Sequence, residues 1–462
     1  MPIVPTPRIR AVAFDDPSLT AWSGLVLVDA LATRLELDST IEARLGVGSG
    51  PTAHLPAKLR SLVLAMAAGG DHIEHVDWLR SRANQHLVGS TAAGTTVGHA
   101  LRGLTPKQAS ALDVVLGDLI NHAWARGLGP RPGAEIIIDV DSTILPVFGH
   151  QKEGAEYGYT GKLGYHPQLA TRAGTNEVLA VRFRSGNHYS GADAAGFFDH
   201  TVARVRQAGG TGPVLVRADT AFSSFEVFRR ARAGGYDVSV GAARHSTIVE
   251  EIARIDETAW INIPDYSTTE GHTGQVTARP WRYIERIKHA NRPSRTSGRK
   301  LGRAPSAGPP FEAVTLFVRR VRNADDEPWQ HFSFITTQDV DRDNPAAVLE
   351  HDARHRDHAI VELSIRDLKA GGWAHVPSGS MVANTAWALL GAVAHNLLVW
   401  LDRLACKRPG PMPLARSVQR WIVCVPGRVV RSGRQLRLRL PDTWPARLEW
   451  CWAATELDVL VS

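Results

Sequence analysis

The sequence predicts an α/β protein: a mixed sheet with flanking helices, interrupted by a strand-rich insertion and preceded by an α-helical N-terminal domain. Three observations predict it. Apolar residues recur at helical spacing through the first 130 residues, short apolar runs then alternate with amphipathic stretches, and a set of β-prone pieces around a basic loop separates these from a second helical region.

The N-terminal helices are read from WSGLVLVDALATRLEL, LPAKLRSLVLAMAAGG and PKQASALDVVLGDLINHAWARG, with Gly, Pro and Ser/Thr between them. They define a helical domain over residues 1–130, whose role the pattern alone does not state. After the break GLGPRPG, the run EIIIDVDST suits a central strand buried on both faces. HPQLATRA and VLAVRFRSG predict further strands, ADAAGFFDHTVARVRQAG a helix, VLVRA a strand, SSFEVFRRARAGG a helix and DVSVGA a strand. Over residues 131–245 that succession is the element order of an RNase H-like core.

Residues 246–345 carry WINI, WRYIERI, AVTLFVRRV and HFSFITT around the loop NRPSRTSGRKLGRAPSAGPP, which predicts a strand-rich insertion with a basic loop. Helical pattern returns over 346–405 as the second part of the core, and the Pro- and Arg-rich residues 406–462 read as a C-terminal tail. The apolar run TAWALLGAVAHNLLVWL falls short of the roughly 20 residues of a membrane span. It also contains His395 and Asn396, so a buried core helix is expected, with no membrane partner.

A 44% hydrophobic content supplies a sizeable core, and Lys+Arg 53 against Asp+Glu 46 gives a net charge of +7 that favours a polyanionic partner if the charges cluster. Cys406, Cys424 and Cys451 are too few and too scattered for a disulfide framework or a paired-cysteine zinc site. The N-terminal residues lack a secretory pattern, so a reducing cytoplasm is the expected setting.

The candidate chemistry lies in carboxylates at the ends of apolar runs. In IIIDVDST, alternation puts Asp139 and Asp141 on one face of a strand, where two buried charges need a cation, an Arg or a turn to cap. Asp219 leaves the strand VLVRA just before a helix. In HDARHRDHAIVELSIRDLK, a continuous helix at about 100° per residue would align His355, His358, Glu362, Arg366 and Lys369 on one polar stripe. His351, His355, His358 and Glu362 also have a spacing that could hold a transition metal. Lys162 and His166, in the Gly- and Tyr-rich stretch GAEYGYTGKLGYHP, are further candidate nucleic-acid contacts.

The segments DVDST, GHQKEGAEYGYTGKLGYHPQLA, RSGNHYSGADAAGF, VLVRADTAFSS and VELSIRDLK together resemble the DDE transposases of bacterial insertion sequences. They are most similar to the branch with a Tyr-Arg-Glu-Lys signature and to the insertion sequence 1380 group, and the stretch AAGGDHIEHVDWLR is also similar to that group. The resemblance implies that Asp141, Asp219 and Glu362 are the catalytic residues and hold two Mg²⁺ (or Mn²⁺) ions, with Asp139 in reserve if the strand register is shifted. It implies double-stranded DNA as partner, both terminal inverted repeats and target, bound by a homodimer associated with the bacterial nucleoid. The helical N-terminal domain would join in DNA binding. His355, His358, Arg366, Lys369 and the loop residues Arg292, Arg295, Arg299 and Lys300 would face the DNA.

His355 stands where the signature has Tyr and His358 where it has Arg. A histidine of ordinary pKa near 6.5 is only partly charged at neutral pH, so pH-sensitive DNA engagement is expected. Two rival functions stay open on the residues: a sequence-tolerant RNase H-like nuclease, and a catalytically inactive DNA-binding protein derived from a transposase.

Overall fold

A computed structural model of the chain describes residues 13–149, 151–264, 266, 272–284, 311–324, 326–406 and 414–459; Arg292, Arg295, Arg299 and Lys300 lie outside these residues. The N-terminal helices are α1 (Leu25–Arg34), α2 (Leu37–Leu45), α3 (Leu55–Ala67), α4 (Arg82–Val88), α5 (Gly94–Gly103) and α6 (Pro106–Ala123). Local chemistry sets where α6 starts. Pro106 occupies the first turn, Thr105 Oγ1 accepts from Gln108 N at 3.2 Å, and Gln108 Oε1 accepts from Thr105 N at 3.0 Å. Thr105→Ala should therefore cost about 1 kcal/mol. An unchanged midpoint in urea unfolding would show that tertiary packing alone fixes this helix start.

Among the described residues, nine strands form the central sheet. They are β1 (Ile136–Ser142), β2 (Gln168–Arg172), β3 (Glu177–Arg182), β4 (Val214–Ala218), β5 (Asp237–Gly241), β6 (Ile261–Asn262), β7 (Thr273–Ile284), β8 (Phe311–Arg322) and β9 (Gln330–Thr336). Their order is β6-β7-β8-β9-β5-β4-β1-β2-β3. Strand β1 runs parallel to β4 and antiparallel to β2, and β4 runs parallel to β5. With α7 (Ala194–Gln207) and α8 (Phe225–Gly234) between the parallel strands, this is the RNase H-like arrangement that the element order predicts.

The insertion does not stand apart from this sheet. Strand β9 pairs antiparallel with β5, Phe334 opposite Gly241, so the inserted strands cover what would otherwise be an open edge. Helix α9 (Ser246–Ala253) leads into them, and α10 (Pro345–Arg356), α11 (Val361–Lys369) and α12 (Met381–Ala405) follow.

Helix α12 is 25 residues long, longer than the apolar run suggests and long enough to cross a membrane by length and composition, yet 89% of its most apolar window is buried inside the protein. Its polar residues complete the sheet. Val178 N donates to Asn396 Oδ1 and Asn396 Nδ2 donates to Val178 O, both at 2.8 Å, and His395 Nε2 pairs with Asn176 O at 2.7 Å. The side chain of Asn396 thus supplies edge strand β3 with the pairing of a neighbouring strand.

One continuous core joins the N-terminal helices, α12 and the sheet. At its centre Glu177, fully buried, accepts from Arg172 Nε at 2.7 Å, Trp124 Nε1 at 2.9 Å and Trp400 Nε1 at 2.8 Å.

The C-terminal residues, expected as a tail, fold back. Strands Gly427–Ser432 and Gln435–Arg439 form a hairpin that pairs with Leu19–Thr20, and helix Arg447–Glu456 packs on α12. Arg428, Arg431, Arg434, Arg437 and Arg439 are exposed on that hairpin.

Candidate active site

The parallel pair β1 and β4 brings Asp139 directly opposite Arg217. Arg217 Nε meets Asp139 Oδ1 at 2.7 Å and Nη2 meets Oδ2 at 2.8 Å, with both side chains no more than 3% exposed. His358 Nδ1 donates to the same Oδ1 at 3.0 Å. Asp139 is therefore committed to a buried bidentate ion pair, which removes it as the reserve site carboxylate. The register is not shifted.

Two residues on, Asp141 shares the face of Asp139 at the end of β1, where Ser142 N donates to its Oδ1 at 2.6 Å. Burial pushes its pKa up to about 6, against the pull of the Ser142 amide; the negative charges of Asp219 and Glu362 add to the rise, and His358 opposes it. Asp219 follows β4 and caps the short turn Thr220–Phe222, accepting from Ala221 N at 2.9 Å. Its side chain reaches solvent, but the carboxylate is hemmed in enough that desolvation raises its pKa over the opposing Ala221 amide and His358. Glu362 lies exposed in the first turn of α11. Three separate elements thus set three carboxylates close enough for Asp219 and Glu362 to act on Asp141.

They are not closed to direct ligand spacing. Among the described residues the one group of three potential metal ligands whose atoms all lie within 4.8 Å of one another is Asp71, His72 and His75. Like charges hold carboxylates apart, and two ions about 3.5–4 Å apart do not require all three oxygens to meet. The spacing His351, His355, His358 and Glu362 forms no such group.

The expected stripe on one helix is broken. The 3₁₀ turn Asp357–Ile360 separates α10 from α11, and four residues advancing about 20° more each rotate the second helix by about 80° from a continuous α-helix. His355 consequently faces the sheet, stacked on Phe334 with ring centroids 3.9 Å apart and paired with Ser239 Oγ at 2.8 Å. Burial lowers its pKa to about 3, assisted by His358, Arg319 and Arg217, so it is neutral and offers no cation to phosphate.

His358 instead bridges Asp139 to the charges on Asp141 and Asp219. Arg366 is exposed on α11. Lys369 is half-buried; desolvation lowers its pKa, Asp141 draws it back up, and the exposed Lys162 lowers it further.

His166 is fully buried, not presented as a nucleic-acid contact. Its Nδ1 meets His188 O at 2.9 Å and its Nε2 meets Ser142 Oγ at 3.0 Å, which fixes the residue beside Asp141. Sequence reasoning missed this support, and it missed Arg217, although an arginine inside a buried apolar strand signals a buried carboxylate opposite it. Tyr189, exposed but anchored by its hydroxyl to Ala221 O at 2.7 Å, stands near enough to Asp219 for that charge to help burial raise its pKa.

The chain matches the protein family described as Transposase DDE domain group 1 over residues 2–296, a stretch that includes Asp141 and Asp219 and ends before Glu362. Among solved structures it is similar to the piggyBac transposase in a cryo-EM structure of the synaptic complex with hairpin DNA, at 11% identity and a TM-score of 0.42, over 87% of this chain and 80% of that one. No curated protein matches it.

Proposed function

Because the chain belongs to the Transposase DDE domain group 1 family, we propose that it is the transposase of a bacterial insertion sequence, cutting double-stranded DNA at the terminal inverted repeats of its element and joining the freed 3′-hydroxyl to target DNA. In this reading it is a member of the insertion sequence 1380 group and works as a homodimer on paired ends at the bacterial nucleoid.

The observation that carries the proposal is the meeting of Asp141, Asp219 and Glu362 from three elements, with Asp141 driven up to about 6. Such crowding fits divalent cations, and an all-oxygen donor set suits hard Mg²⁺ or Mn²⁺. Two such ions, held by these carboxylates, would supply activation of water or a 3′-hydroxyl and stabilisation of the leaving oxygen.

The rest is the work of the chain's own residues. The Asp139–Arg217 pair anchors β1 to β4 and so sets the spacing of Asp141 from Asp219. His358, tied to Asp139, brings a cation-capable ring to the two carboxylates from the α11 side. Lys369 and the exposed Arg366 provide positive charge beside the site for the DNA backbone.

The test uses purified protein and a plasmid bearing both genomic flanks of its gene, with Mg²⁺ or Mn²⁺, and maps strand breaks for wild type and Glu362→Gln. Metal-dependent 3′-hydroxyl ends at repeated flank sequences, lost in the variant, are expected. Flank-specific binding without breaks would replace the proposal with an inactive DNA-binding protein, and scattered breaks with a nuclease.

A further inference from the structure

We propose that Asp71, His72, His75 and His375 form a closed site for a transition metal of the Zn²⁺ class, which fastens the helical N-terminal region to the loop that follows the Glu362 helix. The inference does not rest on the transposase reading.

Asp71, His72 and His75 offer ligand atoms that all lie within 4.8 Å of one another, and His375 reaches the second oxygen of the same carboxylate. His72 Nδ1 lies 2.7 Å and His75 Nδ1 3.1 Å from Asp71 Oδ1, while His375 Nδ1 lies 3.1 Å from Oδ2. Tetrahedral Zn²⁺ with bonds of about 2.0–2.1 Å separates its ligand atoms by about 3.3 Å, so small side-chain movements open space for an ion. His75 meets conflicting partners within the cluster. Asp71 N points at His75 Nδ1 from 3.2 Å and asks it to accept, yet that same nitrogen faces the Asp71 carboxylate, where only a donor is favourable. A cation taken up between that nitrogen and the carboxylate relieves the conflict, at the cost of the Asp71 amide contact.

The rings are already oriented by packing. His75 stacks on Trp78 at 4.0 Å and 19°, Trp78 stacks on Trp22 at 5.3 Å and 10°, and the His72 and His375 rings lie 4.0 Å apart. Three nitrogens and one oxygen select a borderline metal over Mg²⁺, and four protein ligands leave no open position, the pattern of a structural site. Asp71–His75 directly follows α3, whereas His375 lies between α11 and α12, about 300 residues later. An ion here closes that long loop and pins the chain just past Lys369.

Chelator-treated full-length protein, carrying Glu362→Gln to weaken the carboxylate site, is titrated with Co²⁺ and then with Zn²⁺. One equivalent of Co²⁺ should develop the intense visible bands of tetrahedral coordination, and Zn²⁺ should displace it while raising the thermal midpoint. Removing both imidazoles, His72→Ala with His75→Ala, should weaken binding about 100-fold; His375→Ala, at a half-exposed side chain outside the core, should weaken it at least about 10-fold and abolish the tetrahedral bands. Absence of stoichiometric binding, or equal binding by all variants, would overturn the site. Tetrahedral binding untouched in His375→Ala would overturn the fastening of the two regions.

Discussion

Asp141→Asn should reduce strand cleavage about a thousand-fold or more, roughly 4 kcal/mol of lost charge stabilisation, while making the metal-free protein more stable. The two effects share one cause. The pKa of Asp141 is raised from 3.8 to about 6 in the folded protein, so the native state binds this proton more tightly than the unfolded state does. Ionisation therefore penalises the fold above pH 6, by on the order of 2–3 kcal/mol, and the penalty disappears as pH falls through 6 towards 4.

Asparagine keeps the shape and can still accept from Ser142 N, but it carries no charge at any pH. Without divalent metal, thermal or urea unfolding should show wild type gaining stability between pH 7 and pH 5, with the variant more stable at pH 7 and less dependent on pH. Added Mn²⁺ should stabilise wild type more than the variant. A variant that is less stable than wild type at pH 7, with pH dependence intact, would mean that Asp141 is a structural acid.

Glu177→Ala should lower stability by about 3–5 kcal/mol, a large part of what a domain ordinarily has. The carboxylate is fully buried and answers Arg172 and two indoles; Arg403, whose pKa burial and Arg172 depress, also feels its charge. Removing it leaves buried positive charge uncompensated and two N–H groups without an acceptor, in a core shared by α6, β3 and α12. Glu177→Gln, which still offers an oxygen to Trp124 and Trp400, should lose less. The comparison is read from thermal midpoints and soluble yield, and equal midpoints for Ala and wild type would show that the network contributes nothing net.

What the sequence made legible follows from which forces act locally. Runs such as EIIIDVDST and VLVRA state their burial outright, because a strand covered on both faces has no polar face to show. The candidate carboxylates Asp141, Asp219 and Glu362 stood at the ends of such runs or on a mostly apolar helix.

The position of His355 was not legible. It depends on a four-residue 3₁₀ joint, Asp357–Ile360, whose sequence fits a regular helix equally well, and Phe334 from the insertion decides which way the ring turns. The partner of Asp139 was foreseeable in kind but not in identity, since strand pairing across 78 residues of chain chose Arg217. In the C-terminal hairpin, alternation in RVVRS and QLRLR was masked by its arginines, and its first partner lies at Leu19–Thr20. Asp71, His72 and His75 lie within five residues of one another and were open to reading, whereas the approach of His375, about 300 residues on, was not.

Asn396 gives α12 a single permitted seat. A helix held to a sheet by apolar contacts alone can slide or roll by a fraction of a turn at small cost, because one leucine resembles the next. A side-chain amide that must meet both the N–H and the C=O of Val178 cannot, since any displacement strands two buried backbone groups at once. About 18 Å back along the same axis, Asn384 donates to Tyr165 Oη and Ser378 O, so the helix is gauged at both ends. The end of the loop from Lys369 to Ser380 is held there, Ser378 N donating to Asn384 Oδ1 at 3.0 Å. The Glu362 helix joins the same frame through Asp367, which accepts from Asn176 Nδ2 at 3.0 Å just before β3.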